Sequence, residues 1–386
     1  MKLDINILSY NFLVIFIALY FCQGVLYPSG FILGKIAVLL IIIISCFYIC
    51  KTLLLKKSKI FLPYSLIALI FINTVGFLFE GQYNGIYMSQ YRNILLAILP
   101  FFPFYYYGLK GYDVRSMLVK LFFIMLPIAV LSFYASRSSL AEADLYNSEN
   151  FVSNTGYFFV ALMPCIFLLG KKRFLSIVSF LFILFFIIQS AKRGALIAAL
   201  ICSLIFFYYQ FKMIDPRKRL QEYIISIVVT FILLKFSFDL YYSSDFLVKR
   251  MGQIDEGGSG RNVIYENLWN NWVESNSIIN YIFGFGFVST ILYSGTGHLA
   301  HNDWLELLTN FGLIGIFIYF IFFLSMFYIF LAKKIDTNLR LMLLSVLLMG
   351  IFQTLFSMLY TTPTTMFFCM YLAYIGSQNI IFKRLN

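Results

Sequence analysis

The sequence predicts an all-α polytopic membrane protein of about twelve transmembrane helices. Three observations predict it. The 386-residue chain is 61% hydrophobic, 20% aromatic and only 12% charged, whereas a soluble domain carries ~45–50% apolar and ~25% charged residues. That much apolar surface exceeds what a water-soluble core can hide, and a span in hydrocarbon must be helical to satisfy its own backbone. The apolar runs are continuous, as from Ile36 to Ile49, which excludes an outer-membrane barrel with its alternating strands. Finally, basic residues gather after every second run, as expected of helices that cross back and forth under the positive-inside rule.

In chain order the apolar segments are 5–22, 31–50, 60–79, 92–109, 117–135, 155–170, 174–190, 194–211, 222–241, 305–331, 339–359 and 364–382. Lys51, Lys56, Lys57 and Lys59 follow the second, and Lys110, Arg115 and Lys120 surround the turn after the fourth. Lys171, Lys172 and Arg173 follow the sixth; Lys212, Arg217, Lys218 and Arg219 follow the eighth. Lys333, Lys334 and Arg340 follow the tenth, and Lys383 and Arg384 follow the last. One miscounted span would put this alternation out of phase. The expectation is therefore a multi-pass membrane protein with both termini cytoplasmic. Lys2 precedes an apolar run without a small-residue cleavage site, which reads as a retained first span.

The net charge of +12 is absorbed by these clusters, so the composition gives no reason to expect a nucleic-acid partner. Cys22, Cys46, Cys50, Cys165, Cys202 and Cys369 all lie within or beside apolar runs, and read as small core or lipid-facing residues. Two outer loops exceed a turn: 136–154, with Glu142, Asp144 and Glu149, and 242–304. The chain thus divides into membrane helices at 1–241, a large outer loop at 242–304 and membrane helices at 305–386.

Some cations break the charge rule. Lys192 and Arg193 lie in Ser190-Ala191-Lys192-Arg193-Gly194-Ala195, between two spans at the outer face. Arg92 begins the fourth span at that face, Arg261 lies in the large loop, and Lys235 falls inside the ninth span. Two accounts are open: snorkelling to outer-leaflet headgroups, or a cationic pocket for an anion, for which the planar fork of arginine suits phosphate.

In the large loop, Gly257-Gly258-Ser259-Gly260 leads into an amphipathic helix from Arg261 to Glu274. Ile264, Leu268 and Trp272 repeat along one face, with Asn262, Glu266, Asn270 and Glu274 on another. Arg261 falls in its first turn, where free backbone N–H groups also favour an anion. A glycine-aromatic turn, Phe283-Gly284-Phe285-Gly286-Phe287, comes next, without the spacing of a nucleotide fingerprint.

The chain's two histidines, His298 and His301, close the loop just before an apolar helix with Phe311-Gly312-Leu313-Ile314-Gly315. Three apart, they would share a face if helical. A zinc site lacks a third ligand at familiar spacing, with Asp303 as the one close carboxylate. For His301 there remain a structural hydrogen bond at the helix start, or a general base or hydrogen-bonding group for a sugar hydroxyl. His298 reads as structural or accessory.

At this point residues 170–330 resemble the C-terminal region of the bacterial O-antigen polymerases (Wzy) and O-antigen ligases (WaaL). The resemblance rests on Ser190-Ala191-Lys192-Arg193-Gly194, on Gly260-Arg261 through Trp269, on Gly284-Phe285-Gly286, and on His301-Asn302 with Gly312-Leu313-Ile314-Gly315. Each motif alone is weak; their order and spacing carry it. The first half of the chain matches only in hydropathy.

The resemblance implies a GT-C-like, metal-independent inverting glycosyltransferase that needs no cofactor. Its donor would be an undecaprenyl-diphosphate-linked oligosaccharide. Arg193 and Arg261 would hold the diphosphate and His301 would be the catalytic base. Arg92, Lys192, His298 and Asn302 stand as accessory candidates. Membrane lipids are the other partner, and a chain-length regulator is a candidate. Polymerase is preferred, because the large loop suits a growing glycan; a ligase acting on lipid A core is the alternative. A lipid-linked sugar flippase is disfavoured, because the two halves look unrelated.

Overall fold

Without water at membrane depth, each apolar run closes its backbone hydrogen bonds within itself. The computed structural model describes residues 4–55, 61–81, 85–143, 152–170, 172–213, 261–332 and 335–385, with positions 83, 220 and 235. Among the described residues the chain is helical, with one isolated bridge between Gln23 and Tyr27. The helices are α1 (Ile5–Cys22), α2 (Ile32–Leu54), α3 (Phe61–Glu80), α4 (Gly85–Ile98), α5 (Phe101–Leu109), α6 (Val114–Ala143), α7 (Thr155–Leu162), α8 (Arg173–Gln189) and α9 (Arg193–Lys212). After the gap come α10 (Arg261–Val273), α11 (Ile278–Phe283), α12 (Thr290–Tyr293), α13 (Asp303–Leu331), α14 (Thr337–Phe356) and α15 (Thr365–Leu385).

Seven of these helices are long and apolar enough to cross a membrane, and Thr155–Leu169 and Arg173–Gln189 are shorter apolar segments. The protein is therefore a multi-pass membrane protein. The other expected spans are accounted for differently. The fourth is two helices, α4 and α5, separated at Leu99-Pro100 because Pro100 has no N–H to carry the ladder onward. Arg92 accordingly lies in the middle of α4 rather than at the start of a span. The sixth begins as α7 and tightens into a 3₁₀ turn at Met163–Leu169, with Pro164 at its start. The twelfth is α15.

The ninth span, 222–241, lies outside the described residues, apart from Lys235, which is helical and exposed. So do the 242–260 part of the large loop, with Gly257–Gly260, and the charges Lys2, Lys56, Lys57, Lys59, Asp144, Glu149, Lys171, Arg217, Lys218, Arg219, Lys333 and Lys334. The side chains of Glu142, Lys383 and Arg384 are likewise outside them.

The bundle is assembled by α5 against α15, α9 against α14, α1 against α2 and α3 against α13. Aromatic stacking fills the gaps between helices, as where Phe180 and Phe206 rings lie 4.3 Å apart and Phe159 and Phe186 5.0 Å apart. All six cysteines are free thiols: Cys165, Cys202 and Cys369 are buried, Cys22 is half-buried, and Cys46 and Cys50 are exposed. The short helices α10, α11 and α12 pack at the end of α13 where it begins.

Candidate active site

The turn between α8 and α9 is tight. Ala191 takes a positive φ of 51°, a strained backbone for a residue with a Cβ. The start of α7 holds this turn in place. Ser153 N–H donates to Ser190 O at 3.0 Å. A Cβ on Gly156 would come within 2.3 Å of the Ser190 hydroxyl, and one on Gly194 within 2.1 Å of the Tyr157 hydroxyl. The small residues of the turn are thus explained by what faces them. Lys192 is the N-cap residue of α9 and its ammonium lies 5.9 Å over the Tyr157 ring. Arg193 is half-buried at the first position of α9.

Arg261 opens α10, and its Nη1 donates to Phe356 O at 2.7 Å, at the C-terminal end of α14. A guanidinium there also meets the negative end of that helix. The expected amphipathic face buries Ile264 and Leu268 against Ala300, with Tyr265, Tyr293 and Leu305 beside them. Asn267 Nδ2 donates to Ser294 O at 2.9 Å. Through these contacts α10 sets Arg261 beside the histidine segment.

The glycine-aromatic turn does not stand out in a loop. It inserts into a break in α13. Gly312 has φ 59° and ψ −150°, so the helix is interrupted there. The interruption frees the carbonyls one turn earlier, and Phe285 N–H donates to Thr309 O at 2.8 Å while Gly286 N–H donates to Asn310 O at 3.1 Å. A Cβ on Gly284 would lie 2.4 Å from Phe311 N. The Phe287 ring is buried against Phe77, Tyr87, Tyr91 and Phe311.

His298 and His301 do not share a helix face, because both precede α13 in non-helical backbone. The helix-start hydrogen bonds belong to Asn302, whose Oδ1 accepts from Trp304 N–H at 3.0 Å and Leu305 N–H at 3.2 Å. His301 itself has φ 52°. Two buried carboxylates brace this segment. Glu306 accepts from Ala300 N–H at 3.0 Å, from the Thr290 hydroxyl at 2.6 Å and from Asn310 Nδ2 at 3.3 Å. Asp303 accepts from the Tyr319 hydroxyl at 2.6 Å and from Leu359 N–H at 3.0 Å. Asp303 is therefore not the one close carboxylate, and both acids have backbone and side-chain donors as partners.

His301 reaches the surface but has protein packed closely around its ring. Burial, then Arg261, Lys192 and His298, lower its pKa to about 4. Its imidazole is thus neutral at neutral pH and free to accept a proton. The structure therefore brings Lys192, Arg261 and His298 to His301. Lys192 is among the charges that lower the His301 pKa, and Arg193 adjoins it along the chain. Arg92 stands apart: Nη2 donates to Ser89 Oγ at 3.2 Å within its own helix.

Sequence reasoning missed Glu306, whose place in the first turn of a helix reads as routine dipole compensation. Glu306→Ala leaves the buried Ala300 N–H, Thr290 and Asn310 without that partner, at about 1–3 kcal/mol for each unsatisfied group. The expected outcome is a lower thermal unfolding temperature of the detergent-solubilised chain, with Glu306→Gln between it and wild type. Equal unfolding temperatures for all three would show that Glu306 does not brace the segment.

Residues 178–320 match the Wzy_C family model, described as O-antigen ligase. The matched stretch runs from α8 into α13 and contains Lys192, Arg193, Arg261, His298 and His301. No curated protein matches the chain. The match supports the resemblance to the O-antigen polymerases and ligases, and with it a membrane protein of glycosyl-transferring type acting on lipid-linked polysaccharide. It does not separate polymerase from ligase.

Proposed function

We propose that the chain is a surface-polysaccharide polymerase. It would join undecaprenyl-diphosphate-linked repeat units at the periplasmic face of the bacterial inner membrane, with its termini in the cytoplasm. One observation supports this reading: Arg261 and Lys192 bear on His301 strongly enough to help hold its imidazole neutral, and all three fall inside the stretch that matches the family. Cations there suit a diphosphate, and an uncharged imidazole suits a hydroxyl about to lose its proton.

The step is an inverting displacement. His301 takes the proton of the acceptor sugar's hydroxyl as that oxygen forms a bond to the donor's anomeric carbon. The bond from that carbon to the diphosphate oxygen breaks, and undecaprenyl diphosphate leaves with the bonding pair. Arg261, Lys192 and Arg193 stabilise the charge gathering on it, as fixed cations do best in a site with little water. Nothing in this step calls for a metal or a cofactor. Residues 242–304 would form the periplasmic loop over the site. Trp269, with 51% of its surface exposed, is available to stack on a sugar ring.

The description of the matched family favours one second reading, a ligase that transfers finished glycan to lipid A core. A deletion strain separates the two. Loss of a polymerase leaves single repeat units on the core. Loss of a ligase leaves bare core while lipid-linked polymer accumulates. Unpolymerised lipid-linked units trapped in the cytoplasmic leaflet would point instead to a flippase. A normal polysaccharide ladder would end all three readings.

A further inference from the structure

The end of the bundle opposite His301 holds a polar cleft. α14 finishes beside His301, where Leu355 O accepts from Asn302 Nδ2 at 3.4 Å and Phe356 O from Arg261 Nη1 at 2.7 Å. Its 20 residues rise about 30 Å, the depth of a bilayer's hydrocarbon core. Where α14 begins, a cleft of about 190 Å³ opens between the starts of α6 and α14, the end of the 3₁₀ turn and the later half of α15.

Five polar side chains line this cleft: Arg115 from α6, Asp336 and Asn338 from the start of α14, and Tyr374 and Gln378 from α15. Arg115 is fixed by one bond, from its Nε to Leu168 O at 2.9 Å. Gly170, at φ 60°, makes room for it, since a Cβ there would lie 2.1 Å from Arg115 Nη2. Among the described residues the two Nη groups have no acceptor, and no ion pair spans the cleft from Arg115 to Asp336. The Asp336 carboxylate, the Tyr374 hydroxyl and the Asn338 and Gln378 amides likewise have no hydrogen-bond partner among the described residues.

Two features set this apart from a solvated helix end. Asp336 is the N-cap residue of α14, yet its side chain makes no cap bond, whereas Asp4 and Asn302 cap α1 and α13 with theirs. Tyr374 is only 8% exposed, so its hydroxyl is a nearly enclosed polar group whose outlet is the cleft. Such a group costs stability until something bonds to it.

The chemistry that completes these groups is zwitterionic. Arg115, Tyr374 and the first-turn N–H groups that Asn338 and Leu339 bring to the cleft suit a phosphodiester. Asp336 would repel that anion taken alone but accepts from an ammonium, as do the carbonyl oxygens of the Asn338 and Gln378 amides. A quaternary ammonium has no N–H to give them. The volume falls below the ~300–1,000 Å³ of sites for drug-sized ligands, so the cleft suits a headgroup and not a glycan. It lies at the level where α6 and α14 begin and the apolar segment Thr155–Leu169 ends, which is headgroup depth.

We propose that this cleft binds the headgroup of an aminoethyl phospholipid from the leaflet opposite the candidate active site, with its phosphate on Arg115 and Tyr374 and its primary ammonium on Asp336. The site stands apart from the glycosyl-transfer reading, and so does its test. Full-length chain in detergent is mixed with equal amounts of phosphatidylethanolamine, phosphatidylcholine and phosphatidylglycerol of the same acyl chains, and the retained lipid is counted by native mass spectrometry. The wild type should retain the ethanolamine lipid about tenfold over either other lipid, the worth of one charge-assisted hydrogen bond. Asp336→Asn should bring the ethanolamine and choline lipids level while both still bind. The Asp336 side chain is exposed and makes no cap bond, and asparagine serves equally well at an N-cap, so this variant keeps its fold. Arg115→Gln should lower both lipids together.

Equal retention of the ethanolamine and choline lipids by the wild type overturns the proposal. So does a preference that Asp336→Asn leaves intact, and so does phosphatidylglycerol in the lead, the mark of a plain cationic surface. A competition arm locates the source. Glycerophosphoethanolamine has the same headgroup without acyl chains, and at equal concentration it should not displace the lipid. Displacement would uphold the chemistry of the cleft and overturn the bilayer as the source of its ligand.

Discussion

If the proposed reading holds, replacing His301 with alanine should lower glycosyl transfer by roughly 100- to 10,000-fold, the usual contribution of a positioned general base, while the chain still accumulates in membranes. The accumulation follows from where His301 sits: it reaches the surface, and the buried donors around it are satisfied by Glu306, Asp303 and Asn302 instead. Its pH dependence carries a sign that can be worked out. Burial, and then Arg261 and Lys192, which disfavour a third positive charge, put the free-enzyme pKa at about 4. Below that pH the ring is imidazolium and cannot accept a proton, so kcat/KM falls as pH drops through about 4. A bound diphosphate brings negative charge that offsets both cations. The pKa in the complex then rises, and the acid limb of kcat lies at higher pH than that of kcat/KM. Coincident limbs would mean that the anion does not bind beside His301. Full transfer by His301→Ala would remove it from the chemistry.

How much of this was legible in the sequence depends on what each residue uses to act. Spans were legible because hydropathy is a property of a run of side chains, and the charge alternation checked them. Pro100 shows the limit: it divides the fourth expected span into α4 and α5, and hydropathy does not register a missing N–H. Arg261 and His301 could be picked out as candidates because a cation and an imidazole stand out in so apolar a chain. Lys192 was singled out too, as an accessory candidate, and its charge bears on His301. Leu355 and Phe356 were invisible for a different reason. They act through carbonyl oxygens, which every residue has, so their identities carry no mark of the role.

The two glycine motifs show the same limit, and they yield the second large effect. Gly312→Ala should prevent the chain from assembling as a single folded species. With φ 59° and ψ −150°, Gly312 occupies backbone space that is essentially glycine's alone. A Cβ there would also lie 2.6 Å from Ile282 C, 2.6 Å from Tyr281 O and 2.7 Å from Gly284 N. All three are backbone atoms, so no rotamer change relieves the overlap. Strain alone costs about 1–3 kcal/mol. Pushing the 284–286 turn out of the break would further strip Thr309 O and Asn310 O of their N–H partners, at roughly 1–3 kcal/mol for each buried group. The sum is comparable to the whole stability of a typical domain, ~5–15 kcal/mol. Gly350→Ala in α14 is the matched control: its Cβ would meet Leu359 and Phe323 at 3.7 Å, an ordinary contact, and alanine is the better helix former. Extracted in detergent, Gly350→Ala should elute as the wild type does, and Gly312→Ala should aggregate or be lost from the membrane. A monodisperse Gly312→Ala chain with wild-type thermal unfolding would mean that α13 can run through this point unbroken. The Gly284–Gly286 turn would then have no helix break to fill, and Phe285 and Gly286 N–H would need other acceptors.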